Sequence, residues 1–329
     1  MAAVLAAIFT SCCPKPQSMQ FGEGTLTLTA LQDDAVRIQY AEGPIREMPE
    51  MVYEQTKAKV ALKKGEADGK TVFLTDGMTI VVDPEAQTVQ IADKNDRKVF
   101  KATAHELKDA LGQGEATREA TLILDSPEDE YLYGLGQFQD GFLNVKGLTR
   151  RLTQVNTQIA IPFMISNKGY GILWNNYGLT DFNPADNKLV MEREAGEGAE
   201  RRVNVTSTEG GRWEIRRNNN FKATLEIPQD GKYVILLDVG QKMARRHNLS
   251  IDGQTVIDLR NSWLPPTTTA IVDLKAGSHA LRAELERGDQ PVIYFKKLEN
   301  NTVFRSPVAE CVDYTVFTGS ADEVIASYR

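Results

Sequence analysis

The chain has 329 residues, of which 41% are hydrophobic and 25% charged, a composition typical of a globular protein of two or three domains. Its formal net charge of −7 argues against nucleic acid or an anionic membrane surface as the main partner, because clustered Lys and Arg bind both. The three cysteines, Cys12, Cys13 and Cys311, imply no disulfide framework, so the cores must stabilise the fold.

The first segment, residues 1–18, has the pattern of an export signal. Its apolar run from Ala2 to Phe9 is shorter than the roughly 20 residues that span a bilayer, and it fits the hydrophobic part of a secretion signal. Phe9-Thr-Ser-Cys12 resembles a bacterial lipobox, although no Lys or Arg precedes the apolar run. We therefore predict lipidation at Cys12 and export to the periplasm or outer-membrane surface; the alternative is a short apolar tail.

From Thr25 onward the pattern is that of β-strands, because apolar and polar residues alternate with a period of two. Asp76-Gly77 and Asp83-Pro84 mark turns between these strands, and residues 101–111 fit either a strand or a short helix. The strands predicted from the alternation are 25–29, 35–40, 57–62, 71–74, 78–82, 88–91 and 121–124. Short strands at this spacing predict an antiparallel sandwich.

A second β-rich unit follows a segment without apolar periodicity, residues 191–200, which we interpret as a linker or exposed excursion. Asp230-Gly231, Asp252-Gly253 and Ala276-Gly277 supply hairpin turns. Its predicted strands are 212–216, 222–227, 233–239, 248–251, 255–259, 269–274, 279–285 and 292–296. The whole chain is therefore predicted to be all-β.

Three segments carry a family resemblance: Tyr133-Gly-Leu-Gly136, Ile159-Ala-Ile-Pro-Phe163 and Gly169-Tyr-Gly-Ile-Leu-Trp174. Together they resemble the galactose-mutarotase-like N-terminal β-sandwich of glycoside hydrolase family 31, the α-xylosidase and α-glucosidase family. In that family the sandwich precedes a catalytic (β/α)8 barrel. Residues 306–319 resemble its final strands, and 320–329 resemble the helix that leads to the barrel.

The second unit has a resemblance of its own. Gly231 to Asp238, Asn248 to Gly253 and Leu274 to His279 look like the protective-antigen-14 domain, a small β-sandwich. We therefore expect one sandwich interrupted by a smaller one. The predicted organisation is a signal segment at 1–18, the first part of the sandwich at 19–190, the insert at 191–305 and the return to the first sandwich at 306–329.

We predict no catalytic residue, cofactor or metal site in this chain. Family 31 enzymes are retaining, and the resemblance implies that both catalytic aspartates stand on the barrel, which no segment here matches. His105, His247 and His279 are isolated in sequence, and Asp238 lacks the acidic neighbour of a calcium-dependent lectin site. The acidic run 128–130 fits a solvated turn.

The resemblance implies that the loop from Gln137 to Asn156 leans over the barrel mouth and supports the substrate pocket. The candidate sugar-binding residues in it are Gln139, Asp140, Asn144 and Asn156, since planar amides and carboxylates suit sugars. The alternative is that these groups only cap loop backbone. Two residues depart from the family pattern: Gln158 stands where Glu is frequent, and Asn175 where Asp is frequent.

These patterns predict the N-terminal, non-catalytic portion of an exported retaining α-glycosidase that resembles α-xylosidases. Its partners would be an oligosaccharide or polysaccharide and the catalytic barrel, with a membrane contact only through the lipid anchor. The alternatives are a stand-alone carbohydrate-binding lipoprotein on the cell surface and an inactive gene remnant.

Overall fold

The computed structural model describes residues 14–45, 59–156, 158–195, 200–207, 210–240, 244–286 and 288–329, so Cys12 lies outside the described residues. Within these ranges the chain forms 27 strands and one helix, α1 (Ala321–Tyr328). None of the helical structure described is long and apolar enough to cross a membrane. The predominance of strands among the described residues confirms the all-β prediction.

The strands of the first half are β1 (Gln17–Phe21), β2 (Gly24–Gln32), β3 (Ala35–Ala41), β4 (Lys63–Ala67), β5 (Lys70–Leu74), β6 (Met78–Asp83), β7 (Thr88–Asp93), β8 (Lys98–Gly112), β9 (Glu115–Asp125), β10 (Leu132–Gln137), β11 (Arg150–Leu152), β12 (Ile159–Ser166), β13 (Tyr170–Trp174) and β14 (Thr180–Phe182). Those of the second half are β15 (Asn187–Val190), β16 (Glu192–Arg193), β17 (Glu200–Ser207), β18 (Gly210–Arg217), β19 (Asn220–Ile227), β20 (Gly231–Asp238), β21 (Ala244–Ile251), β22 (Gln254–Leu264), β23 (Thr267–Leu274), β24 (Gly277–Glu284), β25 (Val292–Lys297), β26 (Asn301–Ala309) and β27 (Val312–Thr318).

The first sandwich is built from a seven-stranded and a nine-stranded antiparallel sheet. The seven-stranded sheet has the order β1-β2-β3-β27-β13-β12-β10, and the nine-stranded sheet has the order β11-β14-β26-β9-β8-β7-β6-β5-β4. The period-two alternation is the cause of this layering: in β6, Met78, Ile80 and Val82 are buried while the residues between them are half-buried. One continuous apolar core lies between the two sheets.

The second sandwich interrupts the first. Its sheets have the orders β15-β25-β20-β23 and β16-β19-β24-β21-β22, and it has a separate core that includes Leu225, Ile235 and Leu249. The strands on either side of it, β14 and β26, pair with each other in the nine-stranded sheet. By strand pairing the insertion therefore runs from β15 to β25, a few residues earlier at each end than the predicted limits of 191 and 305.

Helix α1 packs on the outer face of the seven-stranded sheet. Ser320 caps its N-terminus: the hydroxyl accepts from the backbone N–H of Glu323, and the Glu323 carboxylate accepts from the N–H of Ser320. Val324 is buried against the sheet, and Tyr328 stacks on Phe163 with ring centroids 4.3 Å apart. The helix thus covers apolar residues that the sheet would otherwise expose.

Three local predictions are settled by the strand pairing. Residues 101–111 lie in strand β8, which resolves the choice between strand and helix. The predicted strand 57–62 is wrong for its described part: Lys59 and Val60 donate to the carbonyl of Ala30 without joining a ladder, and the strand begins at Lys63. The linker assigned to 191–200 is wrong at its start, because Met191 is buried in the second core and β16 follows it.

Candidate functional site

The candidate site is the loop between β10 and β12, and glycines determine where it begins. Gly134, Leu135 and Gly136 all have positive φ, and the pairing of β10 with β12 contains a bulge between the two glycines. A Cβ on Gly136 would lie 2.0 Å from the carbonyl oxygen of Ile159, so only glycine permits this approach. The Tyr-Gly-Leu-Gly motif is therefore a bulged strand end.

A buried ion pair braces the loop. The Arg150 Nη2 atom lies 2.8 and 2.7 Å from the two carboxylate oxygens of Asp140, and the side chains are only 4% and 11% exposed. The guanidinium also lies 4.1 Å from the ring centroid of Phe138. Burial lowers the pKa of Arg150, and the Asp140 charge opposes that shift. Asp140 is thus engaged in holding the loop.

The Asn144 side chain also holds the loop, through hydrogen bonds to the backbone. Its Oδ1 accepts from the backbone N–H groups of Leu132, 3.0 Å away, and Lys146, 3.1 Å away. It therefore joins the loop to the first residue of strand β10. At this position the structure favours the backbone-capping alternative.

Gln139 and Asn156 are placed differently, since both are exposed. The Gln139 side-chain carbonyl accepts from the amide of Asn261 in the second sandwich at 2.9 Å. Asn156 lies in the turn closed by the paired backbone hydrogen bonds of Val155 and Gln158. These two of the four candidates present amide groups to solvent.

The loop also contacts the second sandwich directly. The Thr269 hydroxyl donates to the carbonyl of Thr149 at 2.7 Å, and a cavity of about 20 Å³ lies beside it, lined in part by Arg150, Gln158 and Thr268. A space of that size holds about one water molecule, which is far too little for a sugar. This junction therefore positions the loop against the second sandwich.

The two departures from the family pattern have physical reasons. Buried Gln158 donates its amide N–H to the carbonyl of Thr153 at 2.9 Å, which an ionised Glu could not do. Asn175 donates to Asp313 at 3.0 Å, where a second carboxylate would repel the first. Each amide supplies a donor that its local surroundings require.

A second groove was not foreseen from the sequence. It has a volume of about 970 Å³ and lies beside the ends of β3, β13 and β27. At its wall, the largely buried Asp313 accepts from Arg37 at 2.7 and 3.0 Å, from Gln39 at 3.1 Å and from Asn175. Residues distant in sequence form this wall, so no local motif could have revealed it.

The surroundings of Glu130 differ from those that the sequence predicted. We placed it in a solvated acidic turn, but its side chain is buried and accepts from the hydroxyls of Ser126 and Ser166. The hydroxyls compensate the buried carboxylate, which pins the turn at 126–130 to strand β12. Its role is structural.

The histidines do not form a metal centre. Among the described residues, no three His, Cys, Asp or Glu side chains are grouped so that they could hold a metal ion. Burial lowers the pKa of His105 to about 3 and that of His247 to about 4. His279 is hydrogen-bonded to the Lys275 carbonyl and to the Asp252 carboxylate, and these contacts raise its pKa.

Comparison with known sequences identifies the first sandwich. Residues 25–183 match the family model described as the glycosyl hydrolase 31 N-terminal galactose mutarotase-like domain. An α-xylosidase of Saccharolobus solfataricus is 29% identical over 189 residues, which are 54% of this chain and 26% of the relative. A family 31 glucosidase of Pseudescherichia vulneris is 39% identical over 69 residues, 21% of this chain and 13% of the relative.

Comparison with solved structures extends the fold match to 97% of the chain. A family 31 α-xylosidase of Xanthomonas citri aligns with a TM-score of 0.77 and 19% identity, covering 97% of this chain and 40% of that protein. The chain thus spans well under half the length of the relatives it matches. The described residues contain a single helix and no (β/α)8 barrel. Residues 25–183 of this chain therefore form a glycosyl hydrolase 31 N-terminal galactose mutarotase-like domain.

Proposed function

We propose that this chain is the N-terminal, non-catalytic portion of an exported retaining α-glycosidase of the α-xylosidase type. The observation that carries the proposal is the family match over 25–183, joined to a fold that aligns over 97% of the chain with an α-xylosidase. The chemistry of bond cleavage would belong to a barrel, since retaining hydrolysis needs two carboxyl groups about 5 to 5.5 Å apart.

In this proposal the loop 137–156 supports the substrate pocket of the parent enzyme. Its brace, Asp140–Arg150, is buried, whereas the amides of Gln139 and Asn156 are exposed. We infer that Gln139 and Asn156 contact sugar and that Asp140 and Asn144 hold the loop in position. The substrate class is an oligosaccharide or polysaccharide that carries α-linked xylose.

The test is to compare two proteins: this chain, and the product of its reading frame extended through any downstream barrel. Hydrolysis of p-nitrophenyl α-xyloside and of xyloglucan oligosaccharides should require the extended product. Hydrolysis by this chain alone, above that of a heat-denatured control, would contradict the proposed division of labour. A frame that ends at Arg329 would favour the carbohydrate-binding lipoprotein instead.

We also propose export and lipid anchoring through Cys12. The supporting observation is the apolar run that ends in Phe9-Thr-Ser-Cys12. Expression in a bacterial host with labelled palmitate should give a labelled, membrane-associated product. The Cys12→Ala variant should lose the label, and a label retained by that variant would contradict lipidation at Cys12.

A further inference from the structure

One hairpin of the second sandwich belongs to neither of its sheets. Strands β17 and β18 pair with each other over eight residue pairs and form a separate two-stranded sheet. They extend beyond the β16–β19 pair, and none of their described apolar side chains belongs to either sandwich core. We call these two strands, residues 200–207 and 210–217, the hairpin arm.

The arm is held firmly where it leaves the sandwich. The Arg193 guanidinium donates to the carbonyl of Asn218 and, at 3.3 Å, to the side chain of Asn219. The same guanidinium lies 4.5 Å from the ring centroid of Phe221, a member of the second core. The base of the arm is therefore tied to the core by one side chain.

One face of the arm is exposed and carries a distinct set of chemical groups. Asn204 pairs with Trp213 and Arg202 with Ile215, so these four side chains share a face. Trp213 is 59% and Ile215 70% exposed, and the Arg202 guanidinium lies 4.9 Å from the Trp213 ring. The face thus combines an aromatic surface with an amide and a guanidinium.

The size of this face indicates what could cover it. Strands of eight residues are about 27 Å long, and two of them make a strip roughly 10 Å wide, or about 270 Å². A stable interface between two proteins buries about 800 Å² on each partner. The arm is too narrow to hold a second copy of the chain by itself, but it suits a single extended polymer chain.

We propose that the exposed face of the hairpin arm is a second carbohydrate-binding surface, on which an oligosaccharide chain stacks against Trp213 and hydrogen-bonds to Arg202 and Asn204. The apolar face of a pyranose ring packs on an indole, while its hydroxyls need donors and acceptors at the rim. The sugar class rests on the proposed function, but the surface lies on the insert, apart from loop 137–156.

The experiment measures binding of xyloglucan heptasaccharide to the 329-residue chain by calorimetry and by tryptophan fluorescence. Trp213→Ala should weaken binding by at least about tenfold, because loss of a stacking ring is worth about 1.4 kcal/mol. Trp213→Phe should keep most of the affinity. Leu111→Ala, which alters an exposed side chain on the β8–β9 hairpin of the first sandwich, is the matched control and should bind as the unaltered chain does.

Two results would overturn the proposal. One is the absence of binding, or binding that Trp213→Ala leaves unchanged. The other is concentration-dependent association of the chain, seen by sedimentation, that Trp213→Ala abolishes, since this would make the face a protein interface. Failure of the extended product to hydrolyse xylosides, with binding at Trp213 intact, would instead count against the proposed function alone.

Discussion

Asp140 and Arg150 form an ion pair across the candidate loop, with both carboxylate oxygens within 2.8 Å of one guanidinium nitrogen. The pair is buried between the Phe138 ring and the second sandwich. A buried pair of this kind fixes geometry, because neither charge can be left without the other.

Arg150→Ala should therefore lower the free energy of unfolding by about 3 to 5 kcal/mol, since it leaves the Asp140 carboxylate buried without its partner. The neighbouring Arg151 is the matched control: it pairs with Asp181 at 3.0 Å but is 51% exposed. Arg151→Ala should cost no more than about 1 kcal/mol. Chemical denaturation measures both, and equal losses would contradict the bracing role.

The candidate amides should separate into structural and exposed groups. Asn144→Ala removes the acceptor of two backbone N–H groups and should destabilise the chain by about 1 to 3 kcal/mol. Asn156→Ala should change stability by less than about 0.5 kcal/mol, because its side chain is exposed. In the extended enzyme, Asn156→Ala should instead raise KM; an unchanged KM would remove Asn156 from the pocket.

His105 should make the first sandwich sensitive to acid. Its folded pKa is about 3 against an ordinary 6.5, so below pH 6.5 the unfolded chain binds a proton that the folded chain does not. Stability should fall by up to about 1.4 kcal/mol per pH unit from about pH 6.5 toward pH 3. His105→Gln keeps a group that can bond to Tyr314 and should flatten this fall, as thermal unfolding at several pH values would show.

His279 is a control, because the pH dependence of its contribution to stability has the opposite sign. Its folded pKa is raised by the Lys275 carbonyl and Asp252, so its contribution is complete below the unfolded pKa and is lost as pH rises through the folded value. The stability deficit of His279→Gln should therefore grow as pH falls, whereas that of His105→Gln should shrink. Parallel pH profiles for the two variants would refute the assignment.

Asn175→Asp would place a second carboxylate about 3 Å from Asp313. Repulsion in a partly buried site should destabilise the chain by about 1 to 3 kcal/mol at pH 7. Part of this stability should return as the pH is lowered, because protonation of one carboxylate removes the repulsion. Asn176→Asp is the control, because its amide faces the Val308 carbonyl rather than a carboxylate. If both variants lose the same stability at every pH, the Asp313 contact is unimportant.

Helix α1 should depend on its cap. Ser320→Ala removes the hydroxyl that accepts from the Glu323 N–H and should cost about 0.5 to 2 kcal/mol, seen as faster hydrogen exchange at 321–328. Ser320→Asp should restore protection, since Asp also caps well. Unchanged exchange in Ser320→Ala would mean that packing of Val324 and Tyr328 alone holds the helix.

Much of the fold follows from local chemistry. Period-two alternation predicted most strands, and Asp76-Gly77 and Asp252-Gly253 marked hairpins. The hairpin turns predicted at Asp230-Gly231 and Ala276-Gly277 are wrong, because the strands that they connect, β19 to β20 and β23 to β24, lie in different sheets. The Tyr-Gly-Leu-Gly motif also has a local cause, because only glycine allows the close backbone approach at Gly136. The insertion was predictable because residues 306–319 resume the pattern of the first sandwich.

The partners of individual side chains were decided only by tertiary structure. Asp140 and Asn144 had residue types suited to sugar. In the structure Asp140 pairs with Arg150, and Asn144 accepts from the backbone N–H of Leu132. Gln139 and Asn156 remain exposed. The buried state of Glu130 and the exposed face around Trp213 were equally hidden in the sequence. Composition and periodicity fix which face of a strand is apolar, but long-range contacts decide which polar groups are satisfied within the fold and which stay available to a ligand.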